Sequence, residues 1–274
     1  MPEAGNSHNS IITVQPDIVL SGVFKQVKAI VTTLRLAVWS GPRNISTAMM
    51  RSWENRPDTA VIDEPFYSHY LWATGIDHPM ATEVMQTQPQ DWRMVAKSLT
   101  EAPVEDESAI FYQKHISTHL LDHMELDWTL QLTNSMLIRD PARMVASYAK
   151  KRDNINARDF GYAEQLRLFE FLTERNGEAP LVIDTDRLLK DPQNMLHKWC
   201  DKLNIDFLPE MLSWPAGKRD SDGIWGAHWY DAVEKSTGFV AYKPVEINLS
   251  DEHQQIADAC RPAYEKMLAA ALSS

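Results

Sequence analysis

The chain has 274 residues, 44% of them hydrophobic and 24% charged, and carries a formal net charge of -11 from 38 acidic and 27 basic side chains. That balance excludes a general nucleic-acid binder, whose affinity rests on neutralising phosphates, but it allows a local basic cluster to hold a small anion. Two cysteines, Cys200 and Cys260, are too few for a disulfide scaffold or a CxxC metal site and read as buried free thiols.

No apolar run reaches bilayer length. The opening MPEAGNSHNS lacks the basic-then-apolar order of a secretory signal. The expectation is a cytoplasmic protein with no membrane partner. Residues 1–33 read as an N-terminal extension, in which Val23–Thr33 fits a helix or a short strand equally well. Residues 34–274 read as a single α/β domain.

Leu34–Trp39 is a short apolar strand that ends at Ser40-Gly41-Pro42, where the chain must turn. Arg43, Asn44, Ser46 and Thr47 follow on the turn and the start of a helix whose apolar face is Ile45, Ala48, Met49 and Trp53. A helix start presents unpaired N–H groups and the positive end of the dipole. With a guanidinium and two hydroxyls added, the place suits a phosphate-like anion. Thr59–Phe66 is a second strand, so the unit is βαβ, the building block of parallel sheets with helices on their faces.

Residues 68–100 show no clean period and read as a helical cover or a wall on the substrate side. Ser108–Ser117 is a strand, HLLDHMELDW after it looks helical, and Ser135–Pro141 is another strand. Asp140 caps a helix that opens on Pro141. DFGYAEQLRLFEFLTER is an amphipathic helix, Pro180–Asp186 a further strand, and Asp191-Pro192 a second Asp-Pro helix start. Residues 209–248 carry Trp214, Trp225 and Trp229 among prolines and glycines and read as an ordered excursion or lid. A terminal helix capped by Ser250 follows, with a kink expected at Pro262.

GPRNIST lacks the second glycine and the lysine of a Walker A loop, which disfavours magnesium-dependent ATP or GTP hydrolysis. Taken with LIRDPARMVASYAKKR, the loop resembles the PAPS-dependent sulfotransferase family, whose first motif is PKSGTT. The resemblance covers roughly residues 34–205. It implies a three-layer α/β/α, P-loop NTPase-like fold and transfer of a sulfuryl group from 3'-phosphoadenosine 5'-phosphosulfate (PAPS) to a small hydroxyl or amine acceptor, without a metal. It implies that Arg43, in the place of the family's lysine, touches the bridging oxygen, with Asn44 in the same loop. Ser46 and Thr47 hold the 5'-phosphate, and Arg139 and Ser147 grip the 3'-phosphate. The motif's glycine is Ile45 here, and the adenine-stacking aromatic is Ala48, so Trp53 or a ring from 214–229 would have to stack instead.

The acceptor needs a base. Glu64 and His115 end neighbouring strands, and Glu64 is the first choice. The competing readings are an ion-pair role for Glu64 with Arg43 or Arg51 and a plain strand-end histidine for His115. His119 and His123 fall on one helical face without a Cys or Asp to complete a zinc site. Lys218-Arg219 is a weak match to a late 3'-phosphate contact, and His228 and Trp225 are placed to line an acceptor pocket. Two rival functions stand beside transfer: a kinase or phosphotransferase using Asp63 or Asp184 for magnesium, and a catalytically silent nucleotide-binding protein.

Overall fold

The computed structural model describes residues 33–104, 107–150, 152, 154–244 and 246–273, all belonging to one compact unit. The 1–33 extension, including the Val23–Thr33 segment, lies outside the described residues except for Thr33.

Five strands form one parallel sheet: β1 (Leu34–Ser40), β2 (Thr59–Asp63), β3 (Ile110–Ile116), β4 (Thr133–Ile138) and β5 (Leu181–Asp184). Their order is β2-β3-β1-β4-β5. The chain therefore leaves β1 toward one edge and later returns across it toward the other. Such a reversal opens a crevice at the carboxyl ends of the strands, where open α/β sheets bind ligands. Helices α1 (Ser46–Glu54) and α8 (Pro192–Leu203) pack one face around Met49, Trp53, Tyr112 and Trp199. Helices α4 (Trp92–Glu101), α5 (Pro141–Tyr148), α6 (Tyr162–Asn176) and α11 (Asp251–Leu268) pack the other around Trp39, Met136, Leu168 and Met267. Both faces are covered, as a parallel sheet requires.

Several local expectations need correction. The second strand stops at Asp63 because Glu64 turns into the left-handed region at φ 41° ahead of Pro65. Residues 68–100 hold three helices, α2 (Tyr67–Thr74), α3 (Ala81–Thr87) and α4. HLLDHMELDW is not one helix: only its ends, His119 and Asp127-Trp128, fall in short 3-10 turns. The Arg167 guanidinium donates to the carbonyls of Leu120, Leu121 and Asp122 at 2.8, 3.0 and 3.2 Å, so a side chain takes the place of helical N–H donors there. Helix α11 continues past Pro262, which lies inside it. Helix α7 (Thr185–Lys190) and the two short helices α9 (Gly226–Trp229) and α10 (Asp231–Glu234) complete the set used below. Cys200 and Cys260 are buried free thiols.

Candidate active site

At the carboxyl end of β1 the chain passes so close to its neighbours that a Cβ on Gly41 would lie 2.4 Å from the Phe160 carbonyl oxygen. Arg43 and Ile45 then adopt φ 60° and 51°. Ile45 keeps the left-handed conformation that a glycine would supply, although a β-branched residue holds it at a cost of order 1–3 kcal/mol. Asn44 restrains the loop. Buried between β4 and α7, its amide donates to the Leu137 carbonyl at 2.7 Å and its oxygen accepts from Thr185 Oγ1 at 3.0 Å. Its side chain is thus a structural pin, and only its place in the loop brings Asn44 to the cavity wall.

No side chain caps α1, whose first residues, Ser46, Thr47 and Ala48, line the cavity, so its first N–H groups are left without an intrahelical partner there. Ser46 and Thr47 line the same wall, and neither hydroxyl has a protein partner among the described residues.

The second arginine motif meets this loop. Asp140 caps α5 by accepting from the Ala142 and Arg143 N–H groups at 2.9 and 3.3 Å. That helix carries Ser147 to within 3.5 Å of Arg43 Nε. Arg139, just past β4, donates from Nη1 to the Arg43 carbonyl at 2.9 Å. Asp186 on α7 faces both Arg143 Nε at 2.8 Å and Arg139 Nε at 3.7 Å. Arg139 Nε is buried and makes no hydrogen bond. Two guanidiniums thus share one carboxylate, and Arg43 stands near enough to Arg139 for their charges to act on each other, which makes a local basic cluster of the kind a multiply charged anion needs.

Opposite the loop, Lys114 on β3 is buried with all three of its protons used. They go to Asp63 Oδ1 at 2.7 Å, Glu64 Oε1 at 2.5 Å and the Tyr230 hydroxyl at 2.8 Å. The Tyr230 hydroxyl also accepts from Trp225 Nε1 at 3.2 Å and donates to Asp63 Oδ2 at 2.7 Å. Burial pushes the Glu64 carboxyl above its ordinary range, against the pull of the Lys114 charge and with a push from Asp63. The two carboxylates hold Lys114 protonated. Glu64 is therefore an ion-pair residue, as one reading had it, but its partner is Lys114 rather than Arg43 or Arg51. Its second oxygen has no protein partner among the described residues, and the residue lines the cavity.

His115 does not reach the cavity. A strand sends neighbours to opposite faces, so it stacks on Trp39 with ring centroids 4.1 Å apart and faces Gln113 Oε1 at 3.2 Å. Burial and the Lys114 charge push its pKa down to about 3. The structure favours the plain core-histidine reading.

The whole cavity has a volume of about 330 Å³, and much of its remaining wall is made of rings: Tyr67, Tyr70, His119, Tyr148, Trp229 and Tyr230. Sequence reasoning missed His119 as a wall residue because it was read as part of a helix. It sits instead on a single 3-10 turn directly after β3, parallel to Tyr67 at 4.8 Å, with a buried Nδ1 that has no partner. His123 lies elsewhere, its Nε2 3.0 Å from that of His69. Trp53 and Trp225 are buried and cannot stack on a ligand, whereas Trp229 lines the cavity. Lys218, Arg219 and His228 are not on its wall. Arg219 donates to the Pro215 carbonyl, and exposed His228 packs edge-on against Trp229.

Among the described residues no group of three or more His, Cys, Asp or Glu is placed to hold a metal, and no helix is long and apolar enough to cross a membrane. Two proteins of Arabidopsis thaliana, branched-chain-amino-acid aminotransferase-like proteins 2 and 1, are 32% and 33% identical over 226 residues. The match covers 82% of this chain and 40% of each relative, so the chain spans well under half their length. The sulfotransferase domain from the curacin biosynthetic pathway aligns at a TM-score of 0.48 and 15% identity, over 84% of this chain and 98% of that one. The sulfotransferase domain from the Synechococcus PCC 7002 olefin synthase aligns at 0.47 and 16%, over 83% and 94%. Residues 34–271 match the sulfotransferase domain family, and the chain belongs to that family.

Proposed function

We propose that the chain transfers a sulfuryl group from PAPS to a hydroxyl or amine of a small acceptor. The observation that carries this reading is the convergence of the two arginine motifs: Ser147 meets Arg43 and Arg139 meets the Arg43 carbonyl on one cavity, which Glu64 also lines. The uncapped helix start and the free Ser46 and Thr47 hydroxyls are the donors a doubly phosphorylated nucleotide would take up.

When bound, PAPS supplies the activated sulfuryl group and leaves as adenosine 3',5'-bisphosphate. Arg43 and the α1 N–H groups stabilise the charge that grows on the leaving 5'-phosphate oxygen as its bond to sulfur breaks. Arg43 has no proton to give, because a guanidinium stays protonated, so its help is charge and bidentate geometry. Arg139 and Ser147 select the 3'-phosphate. As the acceptor oxygen or nitrogen bonds to sulfur, Glu64 takes its proton on the oxygen that Lys114 leaves free. Burial raises the Glu64 pKa, which makes its carboxylate a stronger base than an exposed one.

The kinase reading loses its magnesium ligands. Asp63 is committed to Lys114, Tyr230 and the Gly223 N–H, while Asp184 caps α7 and accepts from Tyr264. A Schiff-base aminotransferase reading lacks its lysine among the described residues, since Lys114, on the cavity wall, is held protonated by two carboxylates and has no lone pair with which to attack a carbonyl. We take residues 34–274 as one such domain, working in the cytoplasm on a small molecule with no nucleic-acid or membrane partner.

Calorimetry tests the reading. Adenosine 3',5'-bisphosphate should bind at least roughly tenfold tighter than AMP, as one charge-assisted contact allows, and Arg139→Ala should erase the difference. Equal affinities in the wild type would overturn it.

A further inference from the structure

Tyr67 opens α2, three residues after Glu64, and its hydroxyl lies 2.9 Å from His78 Nδ1. On the far side of that imidazole, Arg152 Nη1 lies 2.8 Å from His78 Nε2. A guanidinium can only donate. Nε2 must therefore carry the lone pair, which puts the single ring proton of a neutral His78 on Nδ1. That proton points at the Tyr67 oxygen, so Tyr67 accepts from His78 and does not donate to it. The neutral state itself follows from burial first and from the Arg152 charge second, which bring the pKa of His78 down to about 4.

The phenol proton is thereby left over. No protein acceptor for it exists among the described residues, and Tyr67 is 3% exposed. One face of its ring is covered by His119 and its edge meets Trp225, so the side chain cannot swing to find another partner. Burial and the nearby Glu64 charge raise its pKa, which keeps the proton in place at neutral pH. An oriented O–H with no protein acceptor, on the wall of a ligand cavity beside the candidate base, is a recognition group.

We propose that Tyr67 is the hydrogen-bond donor through which the cavity recognises an oxygen atom of the acceptor molecule, close to the group that is sulfated, and that His78 and Arg152 are the residues that position it. The acceptor class is then narrower than any small alcohol or amine. It carries a carbonyl, carboxylate or ether oxygen as well as its nucleophile. The inference rests on the sulfuryl-transfer reading for the identity of the cavity's second occupant. The hydrogen-bond relay itself does not depend on it.

The test uses a matched pair of probes, 4-hydroxyacetophenone and 4-ethylphenol, alike in size and differing in one carbonyl oxygen. Each is titrated into the full chain with and without adenosine 3',5'-bisphosphate. The ketone should bind about fivefold tighter, the value of one neutral hydrogen bond, and Tyr67→Phe should bind the two equally. In parallel, nitrogen-15 spectra of the histidine rings should report the Nδ1–H tautomer for His78. In Arg152→Met that tautomer preference should be lost and the ketone preference should shrink although Tyr67 is still present. Equal binding of the probes by the wild type, a preference that survives Tyr67→Phe, or an Nε2–H tautomer for His78 would each overturn the proposal. A bisphosphate that binds no better than AMP would sink the functional reading alone, because the probe pair without nucleotide and the tautomer measurement still judge Tyr67.

Discussion

The two halves of the cleft are built in different ways. The half proposed for the nucleotide comes from two short stretches, Pro42–Thr47 and Arg139–Ser147, each folded against the end of its own strand. Its contacts run largely through backbone carbonyls and helix N–H groups. The half proposed for the acceptor is assembled from Glu64, Tyr67, His78, Lys114, His119, Arg152 and Tyr230, which meet across up to 166 positions of sequence. Its contacts run through side chains that hold one another's protons. A half made of backbone and fixed cations tolerates changes in its surroundings. A half made of shared protons fails as a unit when one member is lost.

The contrast predicts a large penalty for Lys114→Met. Removing the ammonium leaves Asp63 and Glu64 side by side without their shared cation, and stability should fall by about 3–5 kcal/mol in urea unfolding at neutral pH. A loss below about 1 kcal/mol would mean that the carboxylates do not depend on that lysine. Glu64→Gln should lower sulfuryl transfer by roughly 10²–10⁴-fold, the usual worth of a positioned base, while bisphosphate affinity stays within about twofold in calorimetry. Unchanged transfer would remove Glu64 from the chemistry. On the other half, Arg43→Ala should weaken bisphosphate binding by roughly 10- to 100-fold, as loss of a charge-assisted contact does, with little effect on stability.

The smallest effect concerns His115, which lies outside both halves. Its folded pKa of about 3 is below its ordinary 6.5, so the unfolded chain binds the proton that the folded one refuses. Its contribution to stability is complete above about pH 6.5 and drains away as the pH falls toward 3. His115→Phe should flatten that part of the acid-unfolding curve and leave transfer unchanged. Lost transfer in a folded variant would return His115 to the site.

The same contrast explains what could be read from the residues alone. The strands, the glycine turn, the Asp-Pro caps and the arginine–serine pair are local patterns, and each appears where its local chemistry dictates. The choice between Glu64 and His115 is not local. Both faces of β3 are buried, so Lys114 and His115 carry no alternation of apolar and polar to say which looks toward the cleft. The non-helical stretch after β3 was hidden because its carbonyls are satisfied by Arg167, from a helix more than forty positions away. His119 lost its place on the wall for the same reason. By contrast, α4 was legible and overlooked: Trp92, Val95, Ala96 and Leu99 fall at helical spacing behind an Asp91 cap.

Tyr230 has one more implication. The Trp-rich excursion is anchored to α1 by Arg51 with Asp222 at 2.6 Å and by Ser52 with the Met211 carbonyl at 2.6 Å, and to the sheet by Tyr230 between Lys114 and Asp63. Swinging it outward would expose an ammonium and two carboxylates at once, so it behaves as masonry and not as a door. A route for ligands that leaves this segment in place keeps those three charges paired throughout turnover.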